Sequence, residues 1–190
     1  MRDAFESGGD EEVTRASQAL LGWAQRDPQA ASDWVLRLPE GDDRRYIVTE
    51  LSKVVVSQPP SSTPVGQLQQ RSAQSFASEL VASMSKQESP ETSLSWINEL
   101  PEGSAMLAVG THETFKSWSG VDPESASAQL VSLEEGPQKD RAIVALVSEV
   151  VGEDPAAATA WAETIQDEAL RERSLAAIAE ALDQSRDLEE

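Results

Sequence analysis

Residues 154–182 read DPAAATAWAETIQDEALRERSLAAIAEAL, and this stretch decides the fold. Asp154-Pro155 is a helix start. An Asp side chain can accept the third backbone N–H of the helix, and proline at the first helical position has no N–H to leave unpaired. Ala158, Trp161, Ala162 and Ile165 follow the proline at offsets 3, 6, 7 and 10, which is one apolar stripe on an α-helix. Gln166-Asp167-Glu168 interrupts the stripe. Leu175, Ile178, Ala179 and Leu182 then line one face of a second helix, expected near 169–183. The stretch is a helix pair, A followed by B.

The same pair recurs along the chain. Pro28, Pro90, Pro123 and Pro155 lie 62, 33 and 32 residues apart, and Pro59 falls midway in the long interval. That is a period of roughly 32 residues, typical of helical repeat arrays. Offset 6 carries Trp34, Trp96, Gln129 and Trp161; offset 10 carries Leu38, Leu100, Leu133 and Ile165. Leu38-Pro39-Glu40-Gly41 and Leu100-Pro101-Glu102-Gly103 stop helix A, because Pro and Gly end a helix and turn the chain. The expected fold is all-α, an α-α solenoid of about five two-helix units starting near 28, 59, 90, 123 and 155 within residues 11–183. Residues 1–10 are expected as a disordered tail and 184–190 as a polar tail. Residues 11–26 read as a helix B without its helix A, so the array is expected to start in mid-unit. The second unit is irregular: SQPPSSTPVG (57–66) is expected as a loop, followed by one long helix near 67–86. In the third unit Gly110 and Thr111 predict a kinked or short helix B.

The strings DPQAASDWVLRLPEG (27–41) and 154–182 resemble tandem two-helix repeats of the form DPxAAxxWxxxLPxGxxR found in uncharacterised bacterial proteins. In period and helix pairing they are similar to tetratricopeptide and related α-solenoid arrays. The G-x-x-Y element of the tetratricopeptide consensus is absent. The resemblance implies stacked helix pairs and, by analogy, protein binding; it brings no catalytic residue.

Composition narrows the chemistry. The chain of 190 residues has 34 Asp+Glu against 15 Lys+Arg, a net charge of −19, and no cysteine. Cys-ligated metal sites, disulfides and a Cys nucleophile are therefore excluded. A single histidine rules out His₂ and His₃ metal sites within one chain. The acidic balance disfavours direct nucleic-acid binding, which needs Lys and Arg for phosphate. No apolar run approaches the roughly 20 residues that span a bilayer, and no signal peptide is visible; the compartment stays open, as does membership of a longer protein. Many carboxylates fall at expected helix starts (Asp27, Asp42, Asp43, Glu91, Asp122, Glu124, Asp154, Glu168), where they cap N–H groups and oppose the macrodipole.

No residue set calls for a catalytic, metal or cofactor site. His112 is the one candidate for hydrolytic chemistry, but position 116 is Lys rather than a second His, and no G-x-S-x-G element presents a nucleophile. Ser83-Met84-Ser85-Lys86 matches S-x-x-K without its partner motifs. Equal repeat offsets make Trp34, Trp96 and Trp161, with Leu38, Leu100, Leu133 and Ile165, the expected repeat core. Trp23 and Trp118, each five residues before a unit proline, are candidate partner surface together with Pro59, Pro60 and Pro64. Arg45, Arg141 and Arg173, with Arg44, Lys139 and Arg171 beside them, are expected to pair with carboxylates of the preceding turn. The functional expectation is a non-catalytic interaction module, scaffold or adaptor, for a protein or peptide with a neutral or basic surface. Unburied array ends favour a homodimer. The alternatives are an acidic decoy for a basic partner and, third, a hydrolase using His112. Residues 51–100 carry three basic against four acidic side chains, so the irregular second unit is the preferred binding surface.

Overall fold

The computed structural model describes residues 10–187, and the side chains of 14–184. The regular elements among the described residues are all helices, with no strand, so the fold is all-α. The expected tail 1–10 lies outside the described residues except for Asp10, which begins a helix. The C-terminal helix runs on through 184–187, into the stretch expected as tail; residues 188–190 lie outside.

The chain divides into two compact units, residues 1–110 and 111–190. The first contains α1 (Asp10–Ala24), α2 (Pro28–Leu36), α3 (Asp42–Ser57), α4 (Pro64–Gln87) and α5 (Pro90–Ile97). The division falls within α6 (Ala105–Ser119). The second contains α7 (Pro123–Ser132), α8 (Pro137–Val150), α9 (Pro155–Glu163) and α10 (Glu168–Asp187).

In the first unit α3 packs between α1 and α4, α2 closes against α1 and α4, and α5 lies on α4. Ile47, Val48, Leu51 and Val55 of α3 meet a core that includes Leu20, Leu21, Phe76, Leu80, Val81 and Met84, all buried. Their spacing of one, three and four residues is the apolar stripe of a helix. In the second unit α8 is central and packs against α7, α9 and α10. Ala142, Ile143, Ala145 and Leu146 are fully buried with Leu130, Ala158 and Ala162.

The helix starts follow the capping rule. Asp27, Asp122 and Asp154 each accept a hydrogen bond from the N–H three residues on, at 3.0, 3.0 and 2.9 Å. Their backbone angles nearly coincide: φ/ψ of −150/82, −145/80 and −136/81. Hydrogen bonds from Ser125 hold the Asp122 carboxyl below its ordinary range. Ser89 caps α5 in the same manner. Asp42, Asp43, Glu91, Glu124 and Glu168 occupy first turns. The acidic excess is thus partly a consequence of many helix N-termini.

The stretch expected as the second repeat unit departs from the expected period. Its helix starts at Pro64, with Thr63 as N-cap, rather than after Pro59, and runs 24 residues. The loop before it folds back onto α4. Gln70 donates to the Pro59 carbonyl and accepts from Ser61 N–H, and Gln67 donates to the Ser61 carbonyl at 3.2 Å. In the third, α6 has 15 residues, against 16 and 14 in α3 and α8, so Gly110 does not shorten it. Gly110 serves close packing instead: a Cβ there would lie 2.9 Å from Val81 Cγ1 and 3.0 Å from Ile97 Cγ2.

In the second unit the α9–α10 turn is held from α8. Asp140, 3% exposed, accepts Gln166 N–H on one oxygen and Asp167 N–H on the other, both at 2.9 Å. Asp167 in turn caps Leu170 N–H, and Arg171 donates to the Ile165 carbonyl at 2.8 Å.

Gly41 and Gly136 precede α3 and α8 with φ/ψ of 146/−172 and 148/−172. That region is nearly closed to residues with a Cβ. At both positions a Cβ would meet nothing within 4 Å, so the constraint is purely in the backbone. Gly136→Ala is expected to lower unfolding free energy by about 1–3 kcal/mol, whereas Gly152→Ala, at an open site without positive φ, should change it little. Urea denaturation of the two variants measures the difference.

Candidate functional site

A cleft of about 510 Å³ lies in the first unit. Asp42, Arg45 and Tyr46 form one wall, from the first turns of α3. Their spacing i, i+3, i+4 puts them on one face. Glu91, Thr92, Ser95 and Trp96 of α5, with Glu99 just beyond it, form the other. Glu91 and Ser95 are four residues apart and share one face of α5, and Glu99 lines the cleft from the turn that follows.

Arg45 is already engaged. Its Nε–H is shared between Glu88 Oε1 and Oε2 at 3.1 and 3.0 Å, and its Nη1 donates to Asp42 Oδ1 at 3.0 Å. Glu88, its side chain 3% exposed, also faces Arg44 Nη2 at 3.7 Å. Arg44 is 1% exposed and donates through Nη1 to the Leu36 carbonyl and Gln87 Oε1, each at 3.4 Å. Glu88 is the C-cap of α4, where the helix macrodipole disfavours a carboxylate. The two arginines are what hold it there. Glu91 and Glu99, by contrast, have no ion-pair partner among the described residues.

The aromatic groups of the cleft differ in exposure. Tyr46 is 42% exposed and Trp96 only 3%. The Trp96 indole Nε1–H is buried and finds no acceptor within the protein. Lys53 stands near the cleft but is bound to Glu50 at 2.6 Å. That hydrogen bond raises its pKa, with smaller contributions from the charges of Tyr46 and Glu99.

The residues singled out in the sequence are dispersed. Trp96, Leu100 and Ile165 are buried as expected of core. Trp34, Trp161, Leu38 and Leu133 are only half-buried. Trp34 shares its exposure with Trp23, their ring centroids 6.2 Å apart. Leu133 has left the helix: it is the extended C-cap of α7. Trp118, a candidate partner surface in the sequence, is 9% exposed and lies 5.9 Å from Phe115, ring to ring. Pro59, Pro60 and Pro64 are exposed. The basic residues answer more than one partner. Lys139 pairs with Glu135 of the preceding turn and Arg45 with Asp42. Arg44 and Arg171 instead reach carbonyls at the end of the preceding helix, and Arg173 donates to Ala169 in its own helix. No cluster of three or more His, Asp or Glu suited to a metal ion occurs among the described residues. No described helix is long and apolar enough to cross a membrane.

His112 is half-buried on α6. Burial lowers its pKa below the usual value; by smaller amounts, nearby Glu113 raises it, Lys116 lowers it, and Arg141 raises it through a backbone hydrogen bond and lowers it through its charge. Imidazole is therefore favoured over imidazolium in the folded state. The unfolded chain takes up this proton first, so stability present above about pH 6.5 is lost as pH falls through the folded pKa. Urea midpoints between about pH 7 and pH 5 should fall less in His112→Gln than in the parent. A second prediction concerns Glu88. Breaking a buried ion pair from one side costs about 3–5 kcal/mol, and Glu88→Ala should destabilise on that scale. Asp42→Ala, at a side chain 98% exposed, should cost under about 1 kcal/mol. Chemical denaturation of both variants reads the contrast.

Compared with protein-family models, with curated proteins and with solved structures, the chain matches none.

Proposed function

We propose that the chain is a non-catalytic helical-repeat module, an α-α solenoid of two-helix units, that binds another protein through its irregular segment. The observation that carries this reading is an exposed apolar surface. Val65 and Leu68 are 68% and 66% exposed, one turn apart on α4. Val56, at the end of α3, is 48% exposed, and Pro59, Pro60 and Pro64 between them are exposed as well. Grouped apolar side chains facing water are typical of interaction surfaces. The loop that presents them is ordered by Gln67 and Gln70, so little chain entropy opposes docking. The surrounding segment 51–100 is nearly neutral in an otherwise acidic chain, which leaves it open to neutral or basic partners. Near-identical cap angles at Asp27, Asp122 and Asp154, and at Gly41 and Gly136, support a repeating unit.

Affinity capture with the full chain and with Val65→Glu/Leu68→Glu tests the reading. Both positions are exposed, so the double variant should keep the helical circular dichroism of the parent. A specific partner retained by the parent at physiological salt should be lost from the variant. Equal retention by both, or no specific partner for the parent, overturns the reading.

A further inference from the structure

We propose that the protein docked on the irregular segment is a second copy of this chain, seated across a two-fold axis on the face of α4 that carries Val65 and Leu68. The inference rests on the reading of that segment as a docking surface and names its occupant.

The start of α4 is patterned for packing and faces water. The helix begins at Pro64, and its first buried residue is Ala73. The stretch before Ala73 extends for about 13 Å at the rise of an α-helix. Within it only Gly66 and Gln70 are half-buried, and Gln70 is held by the loop at Pro59 and Ser61. Val65, Leu68, Gln69 and Ser72 are all exposed. Their offsets of 0, 3, 4 and 7 are those of one helix face. The midpoint of that face lies between Leu68 and Gln69, which places the axis beside Leu68.

Charge selects a second copy over other partners. From Val54 to Ser78 the chain has one charged side chain, Arg71, although 26% of all its residues are charged. The carboxylates that bound the stretch in sequence are Glu50, which is tied to Lys53, and Glu79. A basic partner therefore finds no carboxylate in the stretch, and an acidic one finds a single guanidinium. In a two-fold contact the same patch meets itself and must supply its own complements. Apolar side chains do so, and so do amides and hydroxyls, which both donate and accept. Val65, Leu68, Gln69 and Ser72 are of these kinds alone. Elsewhere the net charge of −19 drives copies apart. The uncharged stretch is where two such chains can meet.

The chain has no cysteine, so one introduced thiol reports one position. Leu68→Cys is compared under mild oxidation with Val131→Cys, whose parent residue is 70% exposed on α7. Leu68→Cys should cross-link into dimers, and Val131→Cys should not. In sedimentation equilibrium the parent should form a dimer that tightens several-fold from about 50 to about 500 mM NaCl, because salt screens the repulsion between the two acidic chains. A contact made by charge pairing would weaken instead. Leu68→Glu should be monomeric with the helical circular dichroism of the parent. The proposal is overturned if the dimer weakens with salt, if Leu68→Glu dimerises like the parent, or if Val131→Cys cross-links as readily as Leu68→Cys. A parent that stays monomeric up to millimolar concentration also overturns it. If that monomer captures a different protein and Val65→Glu/Leu68→Glu does not, the docking surface stands without the second copy. If the monomer captures none, both readings fall.

Discussion

Satisfying helix ends is the constraint on which the rest of this structure depends. Every helix leaves about four N–H groups and four C=O groups without an intrahelical partner, and the ten helices among the described residues, of eight to 24 residues each, multiply those ends. The chain answers with short polar side chains at the starts, Asp27, Thr63, Ser89, Asp122 and Asp154, each followed by proline. At the far ends it uses longer reaches: Arg44 to the Leu36 carbonyl and Arg171 to that of Ile165. Asp140 extends the principle across helices, because its two oxygens fix a turn that begins 26 residues further on. Much of the acidity that first suggests an unusual partner is built into this framework.

The helix starts were legible in the sequence because a cap and its proline are adjacent, and adjacency is what sequence displays. The same signal failed between residues 58 and 64. Pro59, Pro60 and Pro64 compete there, and only Thr63 has a hydroxyl placed to accept an N–H three residues on. Gly110 was legible as an oddity but not as a contact. Its neighbours Val81 and Ile97 belong to other helices, and no local pattern reports a Cβ-sized gap between helices.

The cleft was less legible than the fold. Trp34, Trp96 and Trp161 share one offset, which reads as one environment, yet Trp96 is 3% exposed and the other two are half-buried. The difference lies in what each helix packs against, which a shared offset does not report. Glu91 was readable as a first-turn carboxylate. Its sharing a face with Ser95 follows from their four-residue spacing, a signal present in the sequence and easily taken for a solvated face. The partnership of Glu88 with Arg44 and Arg45 spans 44 and 43 residues and has no local signature at all.

The order of packing within each unit has a kinetic consequence. Each helix of the first unit meets others no more than three elements away, and in the second α8, α9 and α10 form consecutive pairs. Contacts between near neighbours close short loops, and ordering them sacrifices little chain entropy before burial compensates. Such topologies pass through their transition states far faster than sheets that must join distant strands. Capped starts seed the helices locally, and the growing chain can assemble the core of residues 1–110 from segments as they emerge, in the order in which they are synthesised.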